Sequence, residues 1–274
     1  MLRKVSRRWR AQAAIAAVVV GLSFVPHPAL AAEEATGLPQ PPPKRFWPRK
    51  PEWKAAARNA FRDPGTWGPA GAAAVIAAGG WDRELSDWAV THTPVFGSVA
   101  SAERWSDWLR AASDAAMIAT ALSVHADEHP WKLRTKTLLV EETGAIATTS
   151  LTALLKSATD RERPDGSDQE SFPSGHASRA FAYAGASRRN LDATDLGRGW
   201  RIGLSVGVET LAIGTGMARI EAQKHYPTDV LVGAALGNCV SLFLHDAFLG
   251  TTGSTFATVN LDPHRPSFAI SMRF

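Results

Sequence analysis

A chain of 274 residues, 45% hydrophobic and 20% charged, can bury one sizeable core and suits a single domain. Its formal net charge of +4 says little about partners, because Arg3, Lys4, Arg7, Arg8 and Arg10 all lie in the first 31 residues, which hold no acid. Without that segment the charge falls from +4 to −1, so nothing points to nucleic acid, and the lone Cys239 excludes an intrachain disulfide and reads as a small buried side chain.

Residues 1–31 read as a secretory signal peptide, with that basic start, a short apolar core from Ala13 to Val25, and small residues at Ala29-Leu30-Ala31 for cleavage. The core is shorter than the ~20 residues of a transmembrane helix. The chain is therefore expected to be exported, and to be periplasmic or envelope-associated. Residues 32–51, with Pro39, Pro41, Pro42, Pro43 and Pro48, read as an extended arm or linker.

From Glu52 onward, apolar residues recur at three- and four-residue spacing. This predicts helices over 52–62, 66–79, 82–91, 101–126, 131–158, 174–187, 198–218 and 227–248, an all-α domain spanning 52–250. In the fourth, Trp105, Leu109, Ala112, Ala116 and Ala119 are expected on the core face, with Asp107, Arg110 and Asp114 opposite. Pro64 to Trp81 is free of charge but rich in Gly and Ala, and Val230 to His245 is greasier but short for a span. The body is accordingly read as soluble or in peripheral contact with a membrane.

Eight of the ten tryptophans lie between Trp47 and Trp131. They could form a belt resting on lipid, but the reading adopted packs Trp88, Trp105 and Trp108 between helices. His125 and His129 beside Asp127 and Glu128 have the spacing of a metal pair. Pro130 should end a helix there, so they are assigned to a solvated C-terminal turn. Arg161 and Glu162 read as an exposed charged turn. In the tail, 251–274, Phe268, Ile270, Met272 and Phe274 alternate with Ser267, Ala269, Ser271 and Arg273, a strand with one apolar face. Thr255 to Leu261 is expected to pair with it in a C-terminal β-hairpin, packed on the body or shared in a homodimer.

The chain is organised around Ser171-Phe172-Pro173-Ser174-Gly175-His176-Ala177. The Ala-rich run after it reads as helix, with Ser174 as N-cap, so free backbone N–H groups and the positive end of the dipole make an anion site there. Upstream stand Lys156 and, seven residues on, Arg163-Pro164; downstream stand Arg219, His225 and Asp229. Transfer of a phosphoryl group loads charge onto three equatorial oxygens. Lys156, Arg163 and Arg219 offer three positive charges from three separate segments, the arginines in a planar fork suited to phosphate. Ser174 Oγ and the Gly175 N–H complete the cradle. Asp229, in the first turn of the helix that starts at Pro227, is placed to accept a hydrogen bond from His225. That would leave the other ring nitrogen of His225 free to attack phosphorus. His176 is the candidate acid for the leaving alcohol and base for water.

As K-x6-R-P, P-S-G-H and R-x5-H-x3-D, the three clusters closely resemble the signature of the type 2 phosphatidic acid phosphatase superfamily, which includes bacterial acid phosphatases, lipid phosphatases and vanadium haloperoxidases. The resemblance implies a helical bundle of the acid phosphatase type and the same roles: His225 nucleophile, His176 acid/base, Asp229 orienter, and Lys156, Arg163, Ser174, Gly175 and Arg219 as phosphate binders. It implies hydrolysis of a phosphate-ester substrate through a phosphohistidine, with no metal or other cofactor. Ala218 stands where the family pattern has serine, so one hydroxyl contact to phosphate is expected to be missing. Only the eight residues from Asp165 to Phe172 separate the first two motifs, which implies a tight connection. A vanadate-dependent haloperoxidase is the alternative enzyme reading, and a non-catalytic envelope protein the second alternative.

Overall fold

The computed structural model describes residues 47–127 and 129–250, and the backbone of 255–260 and 267–272. The expected signal peptide and residues 32–46 of the arm lie outside the described residues. The helices are α1 (Lys50–Arg62), α2 (Pro64–Gly79), α3 (Asp82–His92), α4 (Val99–Leu122), α5 (Pro130–Thr159), α6 (Gly175–Asp192), α7 (Arg198–Glu221) and α8 (Pro227–Leu249). The body is therefore all-helical, as the apolar spacing predicts. In the tail, the backbone forms β1 (Thr255–Asn260) and β2 (Ser267–Met272), antiparallel, with Thr255 opposite Met272 and Asn260 opposite Ser267.

Helices α6 and α8 form the centre, and the others pack around them. Small residues set how close these two can come. A Cβ on Gly233 would lie 2.7 Å from the Ser174 carbonyl oxygen, and one on Gly237 would run into the Ser178 carbonyl. Only glycine permits that approach. It seats the start of α6 against the first turns of α8, where Ser174 N donates to the Asp229 carbonyl at 2.9 Å.

Buried polar pairs staple the outer helices to this core. Arg189 of α6 meets Asp246 of α8 at 3.0 Å, and Asn59 of α1 donates to the same carboxylate. Glu141 of α5 lies 3.3 Å from His245 of α8. Burial pushes Glu141 up to about 8 and His245 down to about 3. At neutral pH the pair is thus a protonated carboxyl facing a neutral imidazole, which avoids a bare charge in the core.

The expected faces of α4 are corrected. Its buried positions are Ala102, Ser106, Ser113, Met117 and Ala121, whereas Trp105 and Trp108 are exposed. The small serines let α4 lie close to its neighbours, and the indoles are turned out. Trp88 is partly buried against the core and stacks on His92 with ring centroids 4.8 Å apart. Two helices, α5 and α8, are long and apolar enough to cross a membrane by length and composition, against the expectation that the Val230–His245 run is short for a span. In α8 67% of the apolar window is buried in the bundle, in α5 only 33%.

Candidate active site

Four helix ends meet at one end of the bundle: the C-termini of α5 and α7 and the N-termini of α6 and α8. Lys156 sits in the last turn of α5 and Arg219 in the last turn of α7. Ser174 caps α6 through its Oγ, which accepts from Ala177 N, and Gly175 is the first helical residue. A Cβ on Gly175 would meet only Thr152 Cγ2, at 3.9 Å, so packing does not demand glycine here. What the missing side chain leaves open is the approach to its N–H. The short connection folds back on itself: Arg163 N donates to the Asp168 carbonyl at 3.0 Å and Ser171 N to the Arg161 carbonyl at 2.9 Å. This doubling back brings Arg163 close enough to Lys156, Arg219 and His225 for its charge to act on all three.

Like charges crowd at this point. Arg219 is almost wholly buried, and burial together with Arg163 brings it down to about 10. Burial and Arg163 likewise lower Lys156, whose Nζ donates to the Glu170 carbonyl. Arg219 Nη1 donates to Ser106 Oγ of α4 at 3.3 Å, and its Nε has no hydrogen-bond partner among the described residues. Three cations thus stand close together, Arg163 paired with Asp168 at 2.8 Å and Arg219 with an open donor nine-tenths buried, an arrangement suited to an anion. Ala218, in the position of the family serine, is fully buried.

His225 is buried between α7 and α8, and its Nδ1 lies 2.7 Å from the Ser171 carbonyl oxygen. A carbonyl only accepts, so Nδ1 carries the proton and Nε2 keeps its lone pair. Burial and then the Arg219 and Lys156 charges hold His225 well below the ordinary imidazole value, so it is neutral. The expected hydrogen bond from His225 to Asp229 is corrected. Asp229 Oδ2 stands 3.9 Å from Nδ1 and instead accepts from Ser171 Oγ at 2.5 Å and Tyr226 N at 2.8 Å. Asp229 thus holds the residue whose carbonyl holds His225.

The expected exposed turn at Arg161 is corrected as well. Its guanidinium is half-buried over the Tyr226 ring, 4.3 Å from the centroid. Nη1 donates to Asp229 Oδ1 at 2.5 Å and Nη2 to Asp82 Oδ2 at 2.6 Å. Asp82, at the start of α3, also accepts from Thr228 N at 3.0 Å and from its hydroxyl. A chain of contacts therefore runs Asp82, Arg161, Asp229, Ser171, His225. Burial pushes Asp229 up to about 6, against the opposing pull of Ser171 and Arg161, so it is ionised at neutral pH.

His176, in the first turn of α6, has Nε2 3.0 Å from Asp107 Oδ1. Asp107 belongs to the α4 face expected to lie away from the core, and that face meets α6 here. Burial and Arg219 lower His176, while Asp107 raises it. His125 and His129 lie far along the sequence in the loop before α5; His125 pairs with Asp195 at 2.5 Å and Asp127 at 3.2 Å. Sequence reasoning missed Asp82, Ser106, Asp107, Arg161 and the Ser171 carbonyl. Arg161, two residues before Arg163 in an extended segment, was the one with a local signal.

Residues 143–251 match the family model of the PAP2 superfamily. A 77-residue stretch, 28% of the chain, is 40% identical to the lipid A 1-phosphatase of Porphyromonas gingivalis, and covers 16% of that protein's length. No solved structure matches. Asp82, Ser106 and Asp107 lie before the matched stretch, whereas Lys156, Arg163, Ser174, Gly175, His176, Arg219, His225 and Asp229 all fall within it. The region 143–251, which carries every motif residue of the candidate site, is therefore similar to the PAP2 superfamily.

Proposed function

We propose that the protein is a phosphatase that hydrolyses a phosphomonoester, with a lipid phosphate as the preferred class, through a phosphohistidine on His225. The observation that carries this reading is the buried Arg219 with its open Nε, beside Lys156, Arg163 and a neutral His225. In the reaction, the phosphate oxygens rest on Lys156, Arg163, Arg219, Ser174 Oγ and the Gly175 N–H. The Nε2 lone pair of His225 attacks phosphorus as the ester oxygen departs, taking its proton from His176. His176 then accepts a proton from water, whose oxygen attacks the phosphohistidine and releases inorganic phosphate and free His225. Lipid is favoured as the leaving group by the apolar helices and by what the P. gingivalis relative is named for. On this reading the protein works at a membrane surface, exported and periplasmic or envelope-associated. The strands at 255–260 and 267–272 are read as a hairpin that follows the helical body.

Phosphate release measured with a lipid phosphate in mixed micelles and with a soluble sugar phosphate, before and after EDTA, tests the reading. Turnover of the lipid that survives EDTA and is blocked by vanadate is expected. Loss with EDTA and recovery with zinc or magnesium would contradict it, as would halide oxidation by peroxide and vanadate in place of hydrolysis.

A further inference from the structure

A groove of about 740 Å³ opens at the end of the bundle opposite the candidate active site. Trp47, Trp131, Leu139, Val140, Leu244 and Phe248 line it, from the segment before α1, from the start of α5 and from the end of α8. Its size is that of a small-molecule cleft. The distance from the site follows from α5 itself: Trp131 and Lys156 are 25 residues apart on one helix, roughly 38 Å at 1.5 Å per residue.

Two features decide what fits. Two of the polar side chains in the wall are already engaged: Thr143 Oγ1 donates to the Leu139 carbonyl at 2.6 Å and Lys136 Nζ to the Phe248 carbonyl at 2.6 Å. A peptide strand laid there would bring N–H and C=O groups with few partners to meet them, whereas hydrocarbon needs none. The charged side chains lining the groove are cations: the exposed Lys132 and, one turn on, Lys136; nearby, Lys50 opens α1 beside Arg49, which is paired with Glu52 at 2.7 Å. Beyond the groove, α5 continues to expose Leu139, Ile146 and Leu154, which are 62%, 64% and 63% exposed, and Glu142, one turn from Leu139, is partly buried and accepts from the Tyr183 hydroxyl at 3.1 Å. An apolar slot with an exposed cation at its wall and a ridge of exposed aliphatic side chains leading from it matches an anionic amphiphile.

We infer that this groove and the exposed α5 face dock on the bilayer: the groove takes an acyl chain of an anionic phospholipid, with its phosphate on Lys132. Two tryptophans at the mouth suit the headgroup level, where an aromatic ring meets both water and hydrocarbon. This is a site separate from the catalytic one, and it does not depend on the chemistry assigned to His225.

The full chain, incubated with vesicles of phosphatidylcholine alone or with one quarter phosphatidylglycerol, tests the inference by flotation. Wild type is expected to float with the anionic vesicles and only weakly with the neutral ones. Leu139→Asp, at an exposed position, should cut flotation by at least ~10-fold, and Lys132→Glu should remove the preference for the anionic lipid. Trp200→Asp, which removes an exposed apolar side chain from α7, should float as wild type. Brominated acyl chains should quench the emission that Trp131→Phe removes. Hydrolysis of soluble nitrophenyl phosphate should stay within about twofold in all these variants, so vesicle binding and catalysis are read separately. Undiminished flotation of Leu139→Asp, or no quenching of Trp131, would overturn the inference. So would vesicle binding that appears only after residues 1–46 are removed, which would give the groove to the chain's own arm. A dimer split by Leu139→Asp with no vesicle binding would give it to a second copy and overturn it equally.

Discussion

His225→Ala is expected to abolish turnover of every phosphate ester, by ~10⁴–10⁶-fold, because loss of the nucleophile removes the covalent route altogether. His176→Ala should behave differently according to the leaving group. An alkoxide leaves poorly unless protonated, so hydrolysis of an alkyl phosphate should fall by ~10²–10⁴-fold, the usual range for a general acid. A nitrophenolate, with a pKa near ~7, departs with little help, so the first step with nitrophenyl phosphate should be far less affected. Water activation still needs His176. The mutant should therefore show a burst of nitrophenol followed by slow turnover in rapid-mix kinetics. Equal slowing of both esters, or a burst retained by His225→Ala, would show that the two roles are assigned wrongly.

Arg161→Ala is expected to lower kcat by ~10²-fold with a smaller change in KM, because it loosens a ring it never touches. Arg161 holds Asp229 Oδ1, Asp229 holds Ser171, and the Ser171 carbonyl fixes the proton of His225 on Nδ1. The pH profile separates this positioning role from a purely structural one. Asp229 works as the carboxylate, and burial has already raised it to about 6, so activity of the wild type should fall as the pH drops through that value. The Arg161 charge is one of the influences pulling Asp229 down. Its removal raises Asp229 further, and the acid limb should shift to higher pH. His225, held well below the ordinary imidazole value, is already neutral there and does not mask the shift. Arg161→Lys keeps the charge but loses the fork that spans Asp82 and Asp229, so it should restore the acid limb while recovering only part of kcat. A mutant that melts earlier but keeps the wild-type acid limb would contradict the positioning role.

The helices and the three motifs were legible because both are local. Apolar spacing marks a helix face wherever neighbours cover one side, and Ser174, Pro227 and Asp229 mark helix starts by their own chemistry. The groups that orient the histidines were not legible, since they come from elsewhere in the chain. Asp107 reaches His176 from α4 across 69 residues, and Asp82 reaches Arg161 from α3 across 79. Spacing within α4 suggested a core face at Trp105 and Ala112, but the partner helices chose Ser106 and Ser113, whose small side chains permit closer packing. The Asp229 interaction was read one contact short for a related reason. The doubling back of residues 161–171, which inserts Ser171 between Asp229 and His225, leaves no periodic trace in the sequence.

In this mechanism every phosphoryl group passes through His225. Rapid quenching of the full His176→Ala chain with nitrophenyl phosphate, followed by mapping of protein-bound phosphate, tests it most directly. Acid-labile, alkali-stable phosphate is expected on the peptide that contains His225, approaching one per chain and lost in the double mutant His176→Ala/His225→Ala. Nitrophenol release with no phosphate on the protein, or phosphate carried by any other residue, would contradict it.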